Sequence, residues 1–331
     1  MTFIVGILRD KAFDTPQDIV FRYSKEGYSS VDTNKQAIRG LMNFFEAILM
    51  GIIQGLTEFL PVSSSAHIRI AGALLGQDPG AAFTAIIQLG TESAVLLYFR
   101  HDIARILSHW FMCLKGKDGS EISQRLGSED RDASLGWFII VGTLPIVIAG
   151  LLFQKSIESG LRNLWITVLM LIVFGLLLWY FDAKSAQTKT IKEMTLKDAV
   201  IFGIGQMLAL VPGVSRSGGT ITFGRALGYT REDAARISFL MAIPAVFGAG
   251  ILETFKSLGA AGATSGFPGW GATICATIVS FVVGYLVIIA FLKIVSTFSY
   301  KGFAIYRIAI AVIVALLLIT GVLAPLAGPS V

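Results

Sequence analysis

Two short stretches of this 331-residue chain carry side chains suited to chemistry. In the first, Gln54 and Glu58 stand four residues apart and so share one helix face, and Pro61-Val-Ser63-Ser64-Ser65-Ala66-His67 follows closely. A carboxylate at this point can hold a cation together with the Gln54 amide, or act as a base. Ser64 and His67 share a face of the next helix, which makes Ser64 a candidate nucleophile with His67 as its proton acceptor. Water activated by His67 or Glu58 suits the same residues equally well. The second stretch, Gly213-Val-Ser215-Arg216-Ser217-Gly218-Gly219-Thr220, brings together a guanidinium, hydroxyls and flexible backbone. That combination binds phosphate, so Arg216, Ser215, Ser217 and Thr220, with Ser63 and Ser65 from the first stretch, are the expected phosphate contacts. Helix capping accounts for serines and interfacial snorkelling for a lone arginine, but neither explains Glu58 and His67 at one tip. The stretch lacks the Gly-Lys-Ser/Thr ending of a nucleotide P-loop.

The elements that position these residues follow from an internal match. Gly51, Gln54 and Ser63 recur 152 positions later as Gly203, Gln206 and Ser215. In each copy an apolar run meets a proline, a serine cluster and a second apolar run. An arm of about fourteen residues reaches only ~20 Å into a ~30 Å hydrocarbon core. The expected structures are therefore two re-entrant helical hairpins, at 47–76 and 199–230, with non-helical tips buried in protein or lining a wet cavity.

Hydrophobic residues make up 54% of the chain, charged residues only 15%, and the mean hydropathy is +0.71. A soluble domain carries roughly 25% charge, so the composition indicates a membrane protein. Apolar runs at 137–153, 163–181, 271–292 and 308–325 have the length of spans, and 81–99 and 237–252 join them despite Gln88, Glu92 and Pro244. The expected fold is an all-α polytopic membrane protein of six transmembrane helices plus the two hairpins. Three spans lie between the hairpins, so the hairpins enter from opposite faces as an inverted repeat.

The net charge of +5 is explained by topology and implies no nucleic-acid partner. Loop 100–136 holds Arg100, Arg105, Lys115, Lys117, Arg125 and Arg131, and loop 182–198 holds Lys184, Lys189, Lys192 and Lys197. By the positive-inside rule their side is cytoplasmic. The other loops hold Lys155, Arg162 and Lys256, which puts the first hairpin's opening and the C-terminus outside. Cys113 and Cys275 match no metal-ligand spacing. Residues 1–41 are rich in charge and unlike the rest; they read as a polar extension, or as sequence ahead of a true start at Met42, with 42–331 the single membrane domain.

Gln54-Gly-Leu-Thr-Glu58-Phe-Leu-Pro-Val-Ser-Ser-Ser-Ala-His67 and Pro212-Gly-Val-Ser-Arg216-Ser-Gly resemble the two signature stretches of the undecaprenyl-diphosphatase, or bacitracin-resistance, family. The resemblance runs from about Met42 to the C-terminus and includes Phe303-Ala-Ile-Tyr306-Arg307. Ala66 stands where the family more usually has glycine, and Ile86-Ile-Gln88-Leu-Gly-Thr-Glu92 looks most like actinobacterial members. The resemblance implies hydrolysis of undecaprenyl diphosphate to the monophosphate carrier of peptidoglycan synthesis, with lowered bacitracin sensitivity. It also implies a divalent cation, Mg²⁺ or Ca²⁺, and a site in the bacterial inner membrane open to the extracytoplasmic side. Glu58, Ser64, His67 and Arg216 are then the expected catalytic residues, with Glu58 and Gln54 at the metal. The expected partners are the lipid substrate and the bilayer, and a homodimer is compatible with the sequence. A lipid-carrier flippase or other secondary transporter is the rival reading, because broken helices at the midplane are also a transporter layout.

Overall fold

Inside a bilayer no water is available to peptide groups, and a helix is the one local structure that satisfies them within a single segment. The computed structural model describes residues 42–76, 80–117, 119, 121–159, 161, 163–259 and 267–326. Among these residues every regular element is helical, apart from one isolated bridge between Lys189 and Tyr229. The α-helices are α1 (Phe44–Thr57), α2 (Ser64–Leu74), α3 (Ala81–Tyr98), α4 (Arg100–Leu114), α5 (Ile122–Arg125), α6 (Arg131–Ser159), α7 (Leu164–Lys184), α8 (Leu196–Leu208), α9 (Arg216–Ala226), α10 (Arg231–Gly259), α11 (Trp270–Thr297) and α12 (Lys301–Ile319). Six of them, α3, α6, α7, α10, α11 and α12, have the length and apolar character of membrane spans. The extension 1–41 and Arg162 lie outside the described residues.

The segment 100–136 is more ordered than its charge suggests. It contains α4, α5 and the first turn of α6. Ile103, Ile106, Leu107 and Trp110 fall at helical spacing on α4, while Arg100, Asp102 and Arg105 carry its charge. The charges lower the average hydropathy of α4 and so hide an amphipathic helix.

Helix pairing is set by where backbones can approach. Helix α11 packs on α1 and α3, α6 on α8 and α10, and α7 on α12. A Cβ at Gly51 would run into the Ala276 carbonyl of α11, and one at Gly203 into the Gly142 carbonyl of α6. One end of the bundle is tied by a buried polar cluster. Asp182 accepts from Arg225 Nε at 2.8 Å, Arg231 Nε at 2.9 Å and the Tyr300 backbone N–H at 3.0 Å. Nearby, Asp198 caps α8 and accepts from Lys189 and the Tyr229 hydroxyl. Asp182, Asp198 and Arg225 are buried, so each must find its partner within the protein. The first chemical stretch lies at the break between α1 and α2, and the second at the break between α8 and α9.

Candidate active site

The two breaks are built alike. Ser63 and Ser215 have φ of 75° and 72°, and with Gln187 they are the non-glycine residues of positive φ among those described. Such backbone costs about 1–3 kcal/mol and persists only where its surroundings enforce it. Ser63 Oγ accepts from the Ala66 N–H to cap α2, and Ser215 Oγ accepts from the Gly218 N–H to cap α9. In each case a second serine lies two residues on, with its hydroxyl 3.2 Å from that of the cap.

Arg307 of α12 joins the breaks. Its fully buried guanidinium donates from Nη1 to the Pro61 carbonyl at 2.9 Å, and from Nη2 to the carbonyls of Gly213 at 2.8 Å and Val214 at 3.0 Å. Nε and Nη2 also reach the Leu171 and Met170 carbonyls of α7. One side chain thus holds carbonyls that the interrupted helices cannot satisfy. Ser217 assists by donating to the carbonyls of Glu58 and Leu60 across the breaks. Arg307→Lys keeps the charge but not the fork that reaches both breaks. The expected result is a lower unfolding midpoint and a loss of kcat of about 10²-fold from misplacement, with KM much less affected; thermal unfolding and steady-state kinetics on one preparation check it.

Glu58, the C-cap of α1, lies at the centre. Its Oε2 accepts from Gln54 Nε2 at 2.6 Å and from the Ser64 hydroxyl at 2.7 Å, and its Oε1 accepts from Arg216 Nη2 at 2.9 Å. Residues more than 150 positions apart therefore meet on one carboxylate, 4% exposed. A second carboxylate faces the same guanidinium: Glu92 of α3 is wholly buried, with Oε2 3.8 Å from Arg216 Nη2. Neither Glu92 oxygen has a hydrogen-bond partner among the described residues, and the same holds for Gln54 Oε1 and Arg216 Nε.

His67 is engaged elsewhere. Its Nδ1 lies 2.8 Å from the Ser63 carbonyl, which can only accept, so Nδ1 carries the proton. Its Nε2 lies 2.8 Å from the Tyr306 hydroxyl, and the two rings stack. The geometry gives Glu58, not His67, as the hydrogen-bond partner of Ser64. Burial also sorts the serines and threonine read from the sequence as phosphate contacts. Ser64, Ser65, His67 and Arg216 are partly exposed, whereas Ser63, Ser217 and Thr220 are wholly enclosed and Ser215 nearly so. Thr220 is bonded to the Arg216 carbonyl and to Ser238, so the enclosed hydroxyls build the breaks while Ser65 stays accessible.

The sequence reading did not assign Glu92, Tyr306, Arg307 and Ser238 to the site. For Glu92 a signal existed, since a carboxylate within an apolar span is a functional residue by default. His109, Asp130 and Asp132 form another cluster of metal-ligand types, but it is a brace. Asp130 accepts from His109 and from the first N–H groups of α6, and Asp132 accepts from Arg105.

Comparison with known proteins identifies the family. Residues 47–313 match the family described as Bacitracin resistance protein BacA. A protein of Bifidobacterium adolescentis named undecaprenyl-diphosphatase is 72% identical over 287 residues, covering 86% of this chain and 98% of that one. Its namesake from Bifidobacterium animalis subsp. lactis is 67% identical over 87% of this chain and 98% of its own length. That of Pseudarthrobacter chlorophenolicus is 52% identical over 85% and 99%. A match through both breaks and the spans between them places the chain in the BacA, or bacitracin-resistance, family.

Proposed function

We propose that this chain hydrolyses undecaprenyl diphosphate to undecaprenyl phosphate and inorganic phosphate, returning the lipid carrier to cell-wall synthesis and lowering sensitivity to bacitracin. The observation that carries the reading is the meeting of Ser64 and Arg216 on the Glu58 carboxylate. An incoming diphosphate competes with Glu58 for Arg216, whose planar fork suits phosphate oxygens. With Arg216 drawn to the substrate, Glu58 is free to take the Ser64 proton. Ser64 Oγ then bonds to the terminal phosphorus as the anhydride P–O bond breaks, and undecaprenyl phosphate leaves. Water attacks the phosphoserine, inorganic phosphate departs, and the proton on Glu58 returns to Ser64. Arg216 stabilises the charge on the phosphoryl oxygens, which is the main catalytic contribution in phosphoryl transfer. His67, anchored at Ser63 and Tyr306, orients the accessible edge of the site.

The residues present fit a hard divalent cation. Two buried carboxylates face one guanidinium, and the free oxygens of Glu92 and Gln54 join Glu58 as an all-oxygen donor set of the kind Mg²⁺ and Ca²⁺ prefer. Glu58, Glu92 and Gln54 would hold it, and when bound it supplies charge neutralisation to the phosphates.

In the same reading, α1–α2 and α8–α9 are re-entrant hairpins of an inverted repeat. Support comes from the pairing of elements: α1 and α3 pack on α11 as α8 and α10 pack on α6, so each half's hairpin rests on the other half's span. Gly51 and Gly203 occupy equivalent close approaches in that scheme. The basic loops support a cytoplasmic Asp182 end, with the site opening and the C-terminus outside.

Purified protein in detergent, given undecaprenyl diphosphate and Mg²⁺ or Ca²⁺, is expected to release inorganic phosphate; no release from folded protein beside an active control sinks the proposal. Rapid-quench labelling with terminally labelled substrate separates the routes. A labelled enzyme absent from Ser64→Ala supports the serine step, and no label at any time replaces it with direct attack by water.

A further inference from the structure

A cavity of about 490 Å³ with charged side chains in its wall lies at the end of the bundle that carries the basic loops. Its wall takes Arg105 and Asp102 from α4, Arg131 and Asp132 from α6, Lys192 from the turn before α8, and Arg236 from α10. The carboxylates are already matched: Asp102 accepts from Arg105 at 3.0 Å and from Arg236 at 2.9 Å, and Asp132 accepts from Arg105 at 3.0 Å. Arg131 and Lys192 are exposed and have no ion-pair or hydrogen-bond partner among the described residues. The cavity therefore presents two unmatched positive charges.

The rest of its lining, Ile106, Leu135, Ile191 and Leu240, is apolar, and a neighbouring apolar groove of about 240 Å³ shares Ile106 and Leu240 with it. Ile103, Leu107 and Trp110 of α4, Ile139 and Ile140 of α6, and Ile243 and Pro244 of α10 line that groove. Along α6 and α10 the lining passes from charge to hydrocarbon, at Arg131 and Asp132 to Ile140 and at Arg236 to Pro244. A free anion would use only the first half of this surface and a neutral chain only the second. The two together fit an amphiphile with an anionic head.

We infer that this cavity and groove form a second lipid site, which takes a lipid headed by a single phosphate monoester, the chemical class of the product of the proposed reaction. A monoester carries about −1.5 to −2 charges at neutral pH, which matches two free cations better than the single charge of a phosphodiester lipid does. The monoester would lie between Arg131 and Lys192 with its chain in the groove. Residues here are distinct from Glu58, Ser64 and Arg216, so the site can hold product lipid while the first site is engaged. The inference takes its ligand class from the proposed function, but its test reads binding and needs no turnover.

The experiment is native mass spectrometry of the full chain in detergent, titrated with undecaprenyl monophosphate. Wild type is expected to bind two lipids and Arg216→Ala one. Arg131→Glu/Lys192→Glu is expected to bind one, with the lost site weakened by at least about tenfold and phosphate release unchanged. Ile140→Trp, which fills the groove without touching charge, is expected to lose the same lipid. Inorganic phosphate, undecaprenol and phosphatidylglycerol are each expected to bind this site at least about tenfold more weakly. Binding by any of the three equal to that of the monophosphate overturns the inference. So does a second lipid that survives both the charge and the groove variants, or a wild type that binds only one lipid.

Discussion

Glu58→Gln is expected to lower kcat on the order of 10³-fold while the protein keeps its fold and its thermal stability. The fold should survive because the amide can be accommodated. Gln54 Oε1 is unpartnered, so a turn of the Gln54 amide offers an acceptor to the new NH₂ group, and the Ser64 hydroxyl can rotate to another partner. Charge balance also favours the variant, since one buried carboxylate then faces one guanidinium in place of two. In the proposed mechanism chemistry should nonetheless be lost, because no carboxylate is left at Ser64 to take its proton and the candidate cation donors are reduced to Glu92 and amide oxygens. Steady-state phosphate release and the unfolding midpoint, measured together, check it. Near-wild-type turnover removes Glu58 from the mechanism, and a large fall in midpoint makes it a structural residue instead.

What could be read from the sequence was what depends on local spacing. Gln54 and Glu58 share a helix face by their separation alone, and their hydrogen bond is the short one expected of i, i+4 neighbours. Ser63 could be recognised as a candidate cap because serine before a helix start has that role wherever the helix goes, whereas Ser215 was read as a phosphate contact and its capping of α9 needed the structure. Residues that act through tertiary contact gave less away. Arg307 works by donating to backbone carbonyls, and a backbone carbonyl leaves no trace in residue type. Glu92 reads from sequence as an awkward residue in a span, because its partner Arg216 is far along the chain. His67 and Ser64 do sit at one helix start, but the imidazole is held by Tyr306, 239 positions away, and the hydroxyl turns to Glu58. Gly51 and Gly203 were visible as an internal match. The reason for glycine at both, close approach of α1 to α11 and of α8 to α6, needed the packing. Helix α4 escaped a hydropathy reading because its polar face outweighed its apolar one.

Arg216 is the only cation in hydrogen-bond contact with Glu58 among the described residues, and in the proposed mechanism it is the group that an arriving diphosphate captures. Its removal should therefore have an effect larger than that of any serine in either break. Arg216→Ala is expected to lower kcat/KM by roughly 10³-fold or more, the scale on which a phosphoryl-stabilising arginine acts. The variant also leaves Glu58 and Glu92 buried without their common partner, so a fall in stability is expected with it. Loss of activity in the alanine variant alone would thus be ambiguous, and Arg216→Lys resolves it. Lysine restores the positive charge between the carboxylates and should recover most of the unfolding midpoint. It cannot offer two parallel N–H groups to a phosphate while a third holds the Ser238 carbonyl, as the guanidinium does from Nη1 at 3.3 Å. Turnover in Arg216→Lys should consequently stay at least about 10²-fold below wild type even where stability is regained. If lysine instead restores turnover along with stability, Arg216 acts as a buried counterion, and the recognition of the diphosphate must be sought in other groups at the breaks.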